Sequence, residues 1–197
     1  MRKPIAVILS AMALWMLAGC AGKQGLIQKM SACTQEDVFQ ECSTTTPIPH
    51  GYADLRIVSS LKTHLPGNYS GKDIHGTPEH KLLVNIDGQA VFLTGSLREE
   101  RKDLHSSCDP EEGHGICYLF QTELRLKSGG HSIFISLPFD GIAVERKFDL
   151  IAGSRNTLVL EPLYGLAGDK PRIGFFTKTS FKSGIKGFRV KFNGEYL

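Results

Sequence analysis

Alternating apolar and polar residues dominate the chain from about residue 52 onward. The clearest example covers residues 116–127, where Ile116, Tyr118, Phe120, Leu124 and Leu126 oppose Gln121, Glu123, Arg125 and Lys127. A period of two turns one face of a strand toward the core and the other toward water. This segment is therefore predicted to be a half-buried β-strand.

Eight further apolar runs of similar length, separated by turn residues, predict more strands. The nine candidates are Leu55–Leu61, His80–Ile86, Ala90–Gly95, Ile116–Lys127, His131–Leu137, Ala143–Leu150, Thr157–Glu161, Arg172–Thr179 and Gly187–Phe192. Asp87-Gly88, Gly129-Gly130 and Asp140-Gly141 supply the residues that tight hairpin turns require. Helix-period segments are almost absent, so we expect an all-β domain over 52–197, arranged as an antiparallel β-sandwich.

The residues before this domain are polar and rich in turn formers. Ser43-Thr44-Thr45-Thr46-Pro47-Ile48-Pro49 is typical of an extended linker. Residues 20–51 are therefore interpreted as a flexible tether that contains a disulfide-closed loop.

The N-terminus has the layout of an export signal. Arg2 and Lys3 precede an apolar run from Ile5 to Leu17 that only Ser10 interrupts, and this run is shorter than a membrane-spanning helix requires. Leu17-Ala18-Gly19-Cys20 resembles the bacterial lipobox. The resemblance implies that residues 1–19 are a cleaved lipoprotein signal peptide and that Cys20 carries the lipid anchor. An ordinary secretory signal with a chance cysteine is the alternative.

The resemblance also implies a location in the cell envelope. Ala21 follows the cysteine where many inner-membrane lipoproteins have aspartate, which favours the outer membrane, facing the periplasm. Loss of the signal removes Arg2 and Lys3 but no acid, so the formal net charge falls from +3 to about +1. Global charge therefore identifies no partner.

Four cysteines besides Cys20 form two pairs, each nine residues apart: Cys33 with Cys42, and Cys108 with Cys117. An even number in an exported chain predicts two disulfides. Local pairing closes the shortest loops, although it is one of three possible connectivities. A zinc site built from the thiols is disfavoured because CxxC spacing is absent.

The middle of the chain, about 82–163, resembles the PEGA family of bacterial β-sandwich modules. Three segments carry the resemblance: Leu83-Val84-Asn85-Ile86-Asp87-Gly88, Gly129-Gly130-His131-Ser132-Ile133-Phe134-Ile135, and Gly153 before Thr157-Leu158-Val159-Leu160. The Pro-Glu-Gly-Ala signature is missing, and residues 97–122 are interpreted as an insertion. The family implies a scaffold or interaction role without catalysis.

Catalytic motifs are absent from the sequence. It contains no G-x-S-x-G, no His-Glu-x-x-His and no phosphate-binding glycine loop. Two loops concentrate metal-ligand residue types: Asp109, Glu111, Glu112 and His114 in one, Asp73, His75 and His80 in the other. Solvated turns explain both loops more simply, and His131 is interpreted as a structural strand residue. We therefore predict no catalytic residue, no metal and no cofactor.

The C-terminal region is the most basic part of the chain. Between Lys170 and Lys191 it holds seven Lys and Arg residues and no acid, interleaved with phenylalanines. An anionic lipid or an acidic glycan is the binding partner expected after export; nucleic acid is not. The candidate binding residues, on a hairpin at about 170–193, are Lys178, Lys182, Lys186, Arg189 and Lys191. The alternative is an edge hairpin whose lysines prevent strand association.

Together these features predict a non-catalytic, membrane-anchored envelope lipoprotein that acts as a binding or scaffold module. A second class is an accessory lipoprotein, pilot or chaperone-like, for a secretion, pilus or polysaccharide machine, which would bind an envelope protein partner. An envelope glycan-acting enzyme is the third class. It has the least support because no recognisable pair of carboxylates is present.

Overall fold

A computed structural model describes residues 24–43, 46–67, 71–102, 109–166 and 179–197. Within these ranges the chain is mostly β. A helix covers residues 24–31 and a short 3-10 turn covers Phe181–Ser183. The strands are β1 Phe39–Glu41, β2 Tyr52–Thr63, β3 Lys81–Ile86, β4 Gln89–Thr94, β5 Ser96–Lys102, β6 Gly113–Lys127, β7 Gly129–Leu137, β8 Ile142–Leu150, β9 Arg155–Tyr164, β10 Ile185–Phe192 and β11 Glu195–Tyr196.

The described strands form two sheets, and the predicted all-β class is confirmed. The larger sheet has the order β1-β6-β2-β9-β10-β11, with β5 also paired to β6, and the smaller sheet has the order β4-β3-β7-β8. Most pairs are antiparallel, as predicted. The pairing of β2 with β9 is parallel, so the expectation of a purely antiparallel arrangement is wrong at this place.

Side chains from both sheets share one hydrophobic core. Leu55, Phe120 and Leu158 come from the larger sheet, and Val84 and Ile135 come from the smaller one. The alternation along β6 has the predicted orientation, since its apolar positions are buried while Gln121 and Lys127 are exposed. The period of two in the sequence therefore identifies the core-facing side of this strand.

Two of the three predicted turns join neighbouring strands. Asp87 and Gly88 have positive φ angles of 48° and 98° between β3 and β4, and Gly141 has a φ of 64° between β7 and β8. Gly129 also has a positive φ, 133°. However, it carries the chain from β6 in the larger sheet to β7 in the smaller sheet. The predicted hairpin at Gly129-Gly130 is therefore wrong.

The segment predicted as a flexible tether contributes ordered elements within 24–43. Ile27 of the helix is buried against Leu83 and Phe134 of the smaller sheet, and β1 pairs with β6 through Phe39 and Leu126. These few apolar residues bury enough surface to dock a segment that is polar on average. No helix among the described residues is long and apolar enough to cross a membrane.

The predicted insertion at 97–122 is also part of the larger sheet. It contains most of β5 and the first two thirds of β6, which pair from Ser96 with Leu119 to Lys102 with Gly113. The charged run from Arg98 to Arg101 concealed β5 because it lacks an apolar alternation. The candidate strand at 172–179 lies outside the described residues except for Thr179, which forms a bridge with Leu166.

Candidate functional site

The loop between β2 and β3 brings four ionisable side chains to the β7–β8 turn. His64 follows the end of β2 and His80 precedes β3, while Asp73 and His75 lie in the loop itself. Asp140 approaches them from the turn that follows β7. The pairing of β3 with β7 brings the loop and the turn to the same end of the smaller sheet.

Local turn geometry fixes the loop around His75. Gly76 has a positive φ of 77°, and a side chain there would place its Cβ 2.6 Å from Cδ of Pro66. The Thr77 hydroxyl donates to the carbonyl of Ile74 at 2.7 Å. The Thr77 carbonyl accepts from the Tyr118 hydroxyl at 2.8 Å. The loop is therefore held both by its own turn and by β6.

The five side chains form one continuous chain of hydrogen bonds in which histidines and aspartates alternate. Nε2 of His64 lies 2.5 Å from Oδ2 of Asp73, and Oδ1 of Asp73 lies 2.6 Å from Nδ1 of His75. Nε2 of His75 lies 3.0 Å from Oδ1 of Asp140, whose Oδ2 lies 2.9 Å from Nε2 of His80. We call these five residues the histidine–aspartate cluster.

The position of His75 between two carboxylates determines its protonation state. A neutral imidazole has one N–H, whereas ionised carboxylates only accept hydrogen bonds. Both ring nitrogens of His75 face carboxylate oxygens, so the arrangement fits the imidazolium form. Burial opposes its charge. The hydrogen bond to Asp140 and the negative charge of Asp140, followed by the same two effects from Asp73, raise the pKa of His75 above its ordinary value of 6.5.

Both carboxylates are held in the ionised form. Burial opposes their charge, yet the backbone N–H of His75 and the rings of His64 and His75 lower the pKa of Asp73 to about 2. Burial likewise opposes the charge of Asp140, but hydrogen bonds from His75 and His80 lower its pKa to about 2. Asp73, which lies at the open end of the cluster, therefore presents a carboxylate to a cation that enters there.

His80 closes the inner end of the cluster. Its side chain is only 1% exposed, and its ring lies edge-on to Tyr118 with centroids 5.3 Å apart. Its Nδ1 is buried without a hydrogen-bond partner among the described residues. Burial is the main cause that raises the pKa of Tyr118 to about 12. This end of the cluster is therefore closed to solvent.

The outer end of the cluster opens into a pocket of about 430 Å³. The side chains of His64, Asp73 and His75 line this pocket, whereas those of Asp140 and His80 do not. Its other lining residues are Lys62, Thr63, Lys72, Phe139, Phe181, Lys182, Gly184 and Ile185. Pockets that combine apolar walls with a few convergent polar groups are the usual location of ligand sites.

A second polar network surrounds Lys62, a pocket-lining residue that is fully buried. Its Nζ donates to the carbonyls of Glu111 and Gly113 at 2.9 and 2.8 Å and lies 3.6 Å from Glu100. The Tyr164 hydroxyl lies 2.8 Å from Oε1 of Glu111. The acidic loop predicted as a solvated hairpin tip is thus attached to β2 at this point.

The predicted cysteine sites have different outcomes. Cys33, Cys42 and Cys117 are free thiols in the structure, so the expected bond between Cys33 and Cys42 is not formed. Cys33 lies beside the Asp87-Gly88 turn, whereas Cys42 lies beside Asp54. The extended strand β1 lies between the two cysteines in the chain and holds them apart. The expected bond between Cys108 and Cys117 is likewise not formed, because Cys117 is a free thiol. Cys20 lies outside the described residues, so its lipidation remains a prediction.

Cys117 contacts a carboxylate rather than another sulfur. Its Sγ donates to Oε2 of Glu100 at 2.8 Å. Burial, followed by this hydrogen bond, raises the pKa of Cys117 to about 12. The thiol is therefore a poor nucleophile in this conformation.

The basic C-terminal residues divide into two groups. Lys182 and Lys186 are exposed, and Lys182 lines the pocket. Arg189 and Lys191 instead lie at 4.0 and 2.5 Å from the carboxylate of Glu161 on β9, which sequence inspection did not connect to them. Lys178, the fifth predicted binding residue, lies outside the described residues.

Two further histidines among the described residues occupy separate positions. His131 bonds through Nδ1 to Asp87 at 2.6 Å and through Nε2 to the Lys127 carbonyl at 2.8 Å, which fits the predicted structural role. His114 pairs with Glu99 on β5. The acidic residues and the histidine at 109–114 are of types that can bind a metal ion, but they form no ligand group in the described part of the chain.

The sequence indicates only part of the cluster. Asp73, His75 and His80 are close in sequence and predict a solvated loop, whereas nothing local connects His64 or Asp140 to them. Asp140 is recognisable from the sequence only as a turn residue. The available signal was that both residues lie directly beyond strands whose pairing brings their ends together.

Comparison with known proteins adds no assignment. No family model, no curated protein and no solved structure matches this chain.

Proposed function

We propose that this protein is a non-catalytic envelope lipoprotein that binds a ligand in the pocket at the outer end of the histidine–aspartate cluster. The lipid on Cys20 would hold it at the outer membrane, facing the periplasm. The β domain would present the pocket at the membrane surface. The pocket, with its apolar walls and convergent charged groups, is the observation that carries the binding role.

The anchoring part of the proposal rests on the sequence. The short apolar run before Leu17-Ala18-Gly19-Cys20 suits a cleaved signal, and the lipobox resemblance supplies the acceptor thiol. Once cleaved, the chain would need the lipid to remain on a membrane. Intact mass of the membrane-extracted chain tests this part, since a diacylglycerol-bearing N-terminus at Cys20 is expected. A mature N-terminus elsewhere without lipid would refute it.

The domain architecture proposed for this role is a β-sandwich of the PEGA type. The two sheets with their shared core support this proposal. The Asp87-Gly88 turn occurs where the family resemblance expects it. Strands β6 and β9 belong to the region of resemblance, but they pair with β2 and β10, which lie outside it. The proposed unit is therefore the whole region 52–197.

A binding role is favoured over catalysis by the state of the pocket histidine. Both ring nitrogens of His75 are engaged by carboxylates, so neither is available to abstract a proton from a substrate. The Cys117 thiol has a raised pKa and does not line the pocket. These observations support a site that holds its ligand rather than one that transforms it.

The charge around the pocket supports an acidic partner at its rim. Lys182 lines the pocket, and Lys186 is exposed nearby on β10. Arg189 and Lys191 are less available because Glu161 neutralises part of their charge. An anionic lipid headgroup or an acidic glycan would therefore contact Lys182 and Lys186 first.

Co-sedimentation across a salt series tests the acidic partner. The chain is mixed with anionic liposomes or acidic wall polymers, and retention should fall as salt rises. The double variant Lys182→Gln, Lys186→Gln should reduce retention. Lys147→Gln, at an exposed position of β8, is the control and should leave retention unchanged. Retention that is insensitive to salt and to the double variant would contradict this partner class.

An accessory role in an envelope assembly machine is the second candidate. In the described part of the smaller sheet, β4 forms an edge and carries the exposed ring of Phe92. An edge strand with an exposed aromatic residue can accept a strand from a client protein. Mild crosslinking separates the two roles, because an accessory should copurify with one machine component in stoichiometric amount.

A further inference from the structure

We propose that His64, Asp73 and His75 bind a divalent transition metal ion of the zinc type at the wall of the pocket. The inference rests on the proposed binding role of this pocket and names the class of ligand. The candidate donor atoms are Nε2 of His64, a carboxylate oxygen of Asp73 and Nδ1 of His75.

The donor atoms have a separation that suits a metal ion. All three lie within 4.8 Å of one another. An ion bound about 2.1 Å from each donor requires donors no more than about 4.2 Å apart. A small movement of the side chains therefore places all three around one cation. Two imidazoles and one carboxylate favour zinc and similar transition ions over Mg²⁺ and Ca²⁺, which prefer oxygen ligands.

The surroundings of His75 match those of a metal-binding histidine. Such a residue typically binds the ion through one ring nitrogen and donates its other N–H to a carboxylate, which fixes the ring. Nε2 of His75 faces Oδ1 of Asp140 at 3.0 Å, which leaves Nδ1 directed toward Asp73. His80 in turn holds Asp140 at 2.9 Å.

A purely structural network explains this arrangement less well. Fastening the loop to the β7–β8 turn requires one hydrogen bond from His75 to Asp140. The second carboxylate, Asp73, adds a negative charge on the opposite side of the same ring and at the pocket wall. Two partly buried carboxylates on one ring are stabilised by positive charge between or beside them. In the metal-free protein the His75 imidazolium supplies that charge; a divalent ion would release its Nδ1 proton to solvent and take its place.

Access distinguishes the two possible ligand groups. The group of His75, His80 and Asp140 also has donor atoms within 4.8 Å. However, Asp140 and His80 do not line the pocket, and His80 is buried. We therefore assign the ion to the outer group and a supporting role to Asp140 and His80. The pocket side leaves coordination positions open for water or an anionic ligand.

Titration of the EDTA-treated, purified full chain with ZnCl₂ tests the proposal, using calorimetry and elemental analysis after desalting. One retained equivalent of zinc is expected, with much weaker binding of MgCl₂ and CaCl₂. His64→Gln and His75→Gln should each weaken zinc binding by at least about tenfold, and Asp140→Asn, a positioning residue, by about 10–100-fold.

His131→Gln is the matched control. His131 forms the same type of contact, with Nδ1 2.6 Å from an Asp87 carboxylate oxygen, but lies outside the pocket. This variant should bind zinc like the unmodified chain. Circular dichroism checks the fold of every variant, and if His75→Gln does not fold, the comparison of His64→Gln with His131→Gln decides the result.

Two outcomes would overturn the proposal: no retained zinc, or equal zinc affinity in His64→Gln and the unmodified chain. Zinc binding and lipidation are measured independently. A chain that binds zinc but carries no lipid on Cys20 would refute the proposed anchoring alone. A lipidated chain that binds no zinc would refute only the metal site.

Discussion

Asp140 accepts a hydrogen bond at 3.0 Å from Nε2 of His75, a residue 65 positions earlier in the chain. This contact joins the loop between β2 and β3 to the turn between β7 and β8. It also determines which nitrogen of His75 faces the pocket. One carboxylate in a tight turn thus controls both the position of the loop and the chemistry of the site.

Substitution of Asp140 by asparagine should destabilise the metal-free protein. An amide can accept through only one oxygen, so one of the two rings, His75 or His80, loses its acceptor in a buried place. We expect a loss of about 1–3 kcal/mol in the free energy of unfolding, measured by urea denaturation in EDTA. Asp149→Asn, on the exposed face of β8, should change it by less than about 0.5 kcal/mol. Similar losses in both variants would contradict this role.

Acid should destabilise the metal-free protein through the two carboxylates. Their pKa values are lowered from 3.8 to about 2, so their contribution is present above the unfolded value. It is lost as the pH falls from about 4 toward 2. Melting temperature measured against pH should therefore fall over this interval, and the slope should be shallower in Asp140→Asn. An unchanged slope would assign the acid sensitivity to other groups.

A rise in pH should also destabilise the metal-free protein, in this case through His75. The pKa of His75 is raised above 6.5, so its contribution is present below 6.5 and is lost as the pH rises through its folded-state value. Stability in EDTA should therefore decline above about pH 6.5. His75→Gln should remove this decline, whereas His131→Gln should retain it.

Local patterns predicted the strands better than they predicted the site. The apolar alternation in β6 and the turns at Asp87-Gly88 and Asp140-Gly141 were sufficient to place most strands. Strand β5 was missed because its charged residues lie along a sheet edge, where little apolar surface is needed. The parallel pairing of β2 with β9 was missed because it depends on how distant strands meet.

The histidine–aspartate cluster required the same long-range information. His64 and Asp140 approach His75 only because the strands that flank them share one end of the domain. In the sequence each is an isolated polar residue beside a turn. The cysteine spacing was misleading at Cys33 and Cys42 because an extended strand separates residues that are near in sequence.

Two neighbouring residues on β10 should separate core from surface effects. Phe188 is buried in the shared core, whereas Lys186 is exposed. Phe188→Ala should lower the free energy of unfolding by about 3–5 kcal/mol, because it removes a buried ring and leaves a cavity. Lys186→Gln should change it by less than about 0.5 kcal/mol. Chemical denaturation measures both, and comparable losses would contradict the burial assignment.

The buried Lys62 should be essential for holding the loop that contains Glu111 and Gly113. Lys62→Met keeps the aliphatic volume but leaves two carbonyls without their donor, and it removes one of the cations beside Glu100, which retains Arg98. We expect a loss of about 2–4 kcal/mol in the free energy of unfolding. Hydrogen exchange at 111–113 should also become faster. Lys81→Met, on an exposed position of β3, should alter neither quantity.

Glycine at position 76 should be required for the geometry of His75, and Gly67 in the same loop provides a matched control. Both residues have a positive φ, 77° and 80°, so alanine is strained at either position. Only at Gly76 does the added Cβ also collide with Pro66, at 2.6 Å from its Cδ, whereas nothing lies within 4 Å at Gly67. Gly67→Ala should therefore cost about 1 kcal/mol of unfolding free energy, and Gly76→Ala clearly more, about 2–4 kcal/mol.

Gly76→Ala should also displace His75 from Asp140 and weaken zinc binding, while Gly67→Ala should leave zinc binding unchanged. Urea denaturation and zinc titration of the two variants measure both effects; equal behaviour would mean that the close approach of the loop backbone to Pro66 does not position the site.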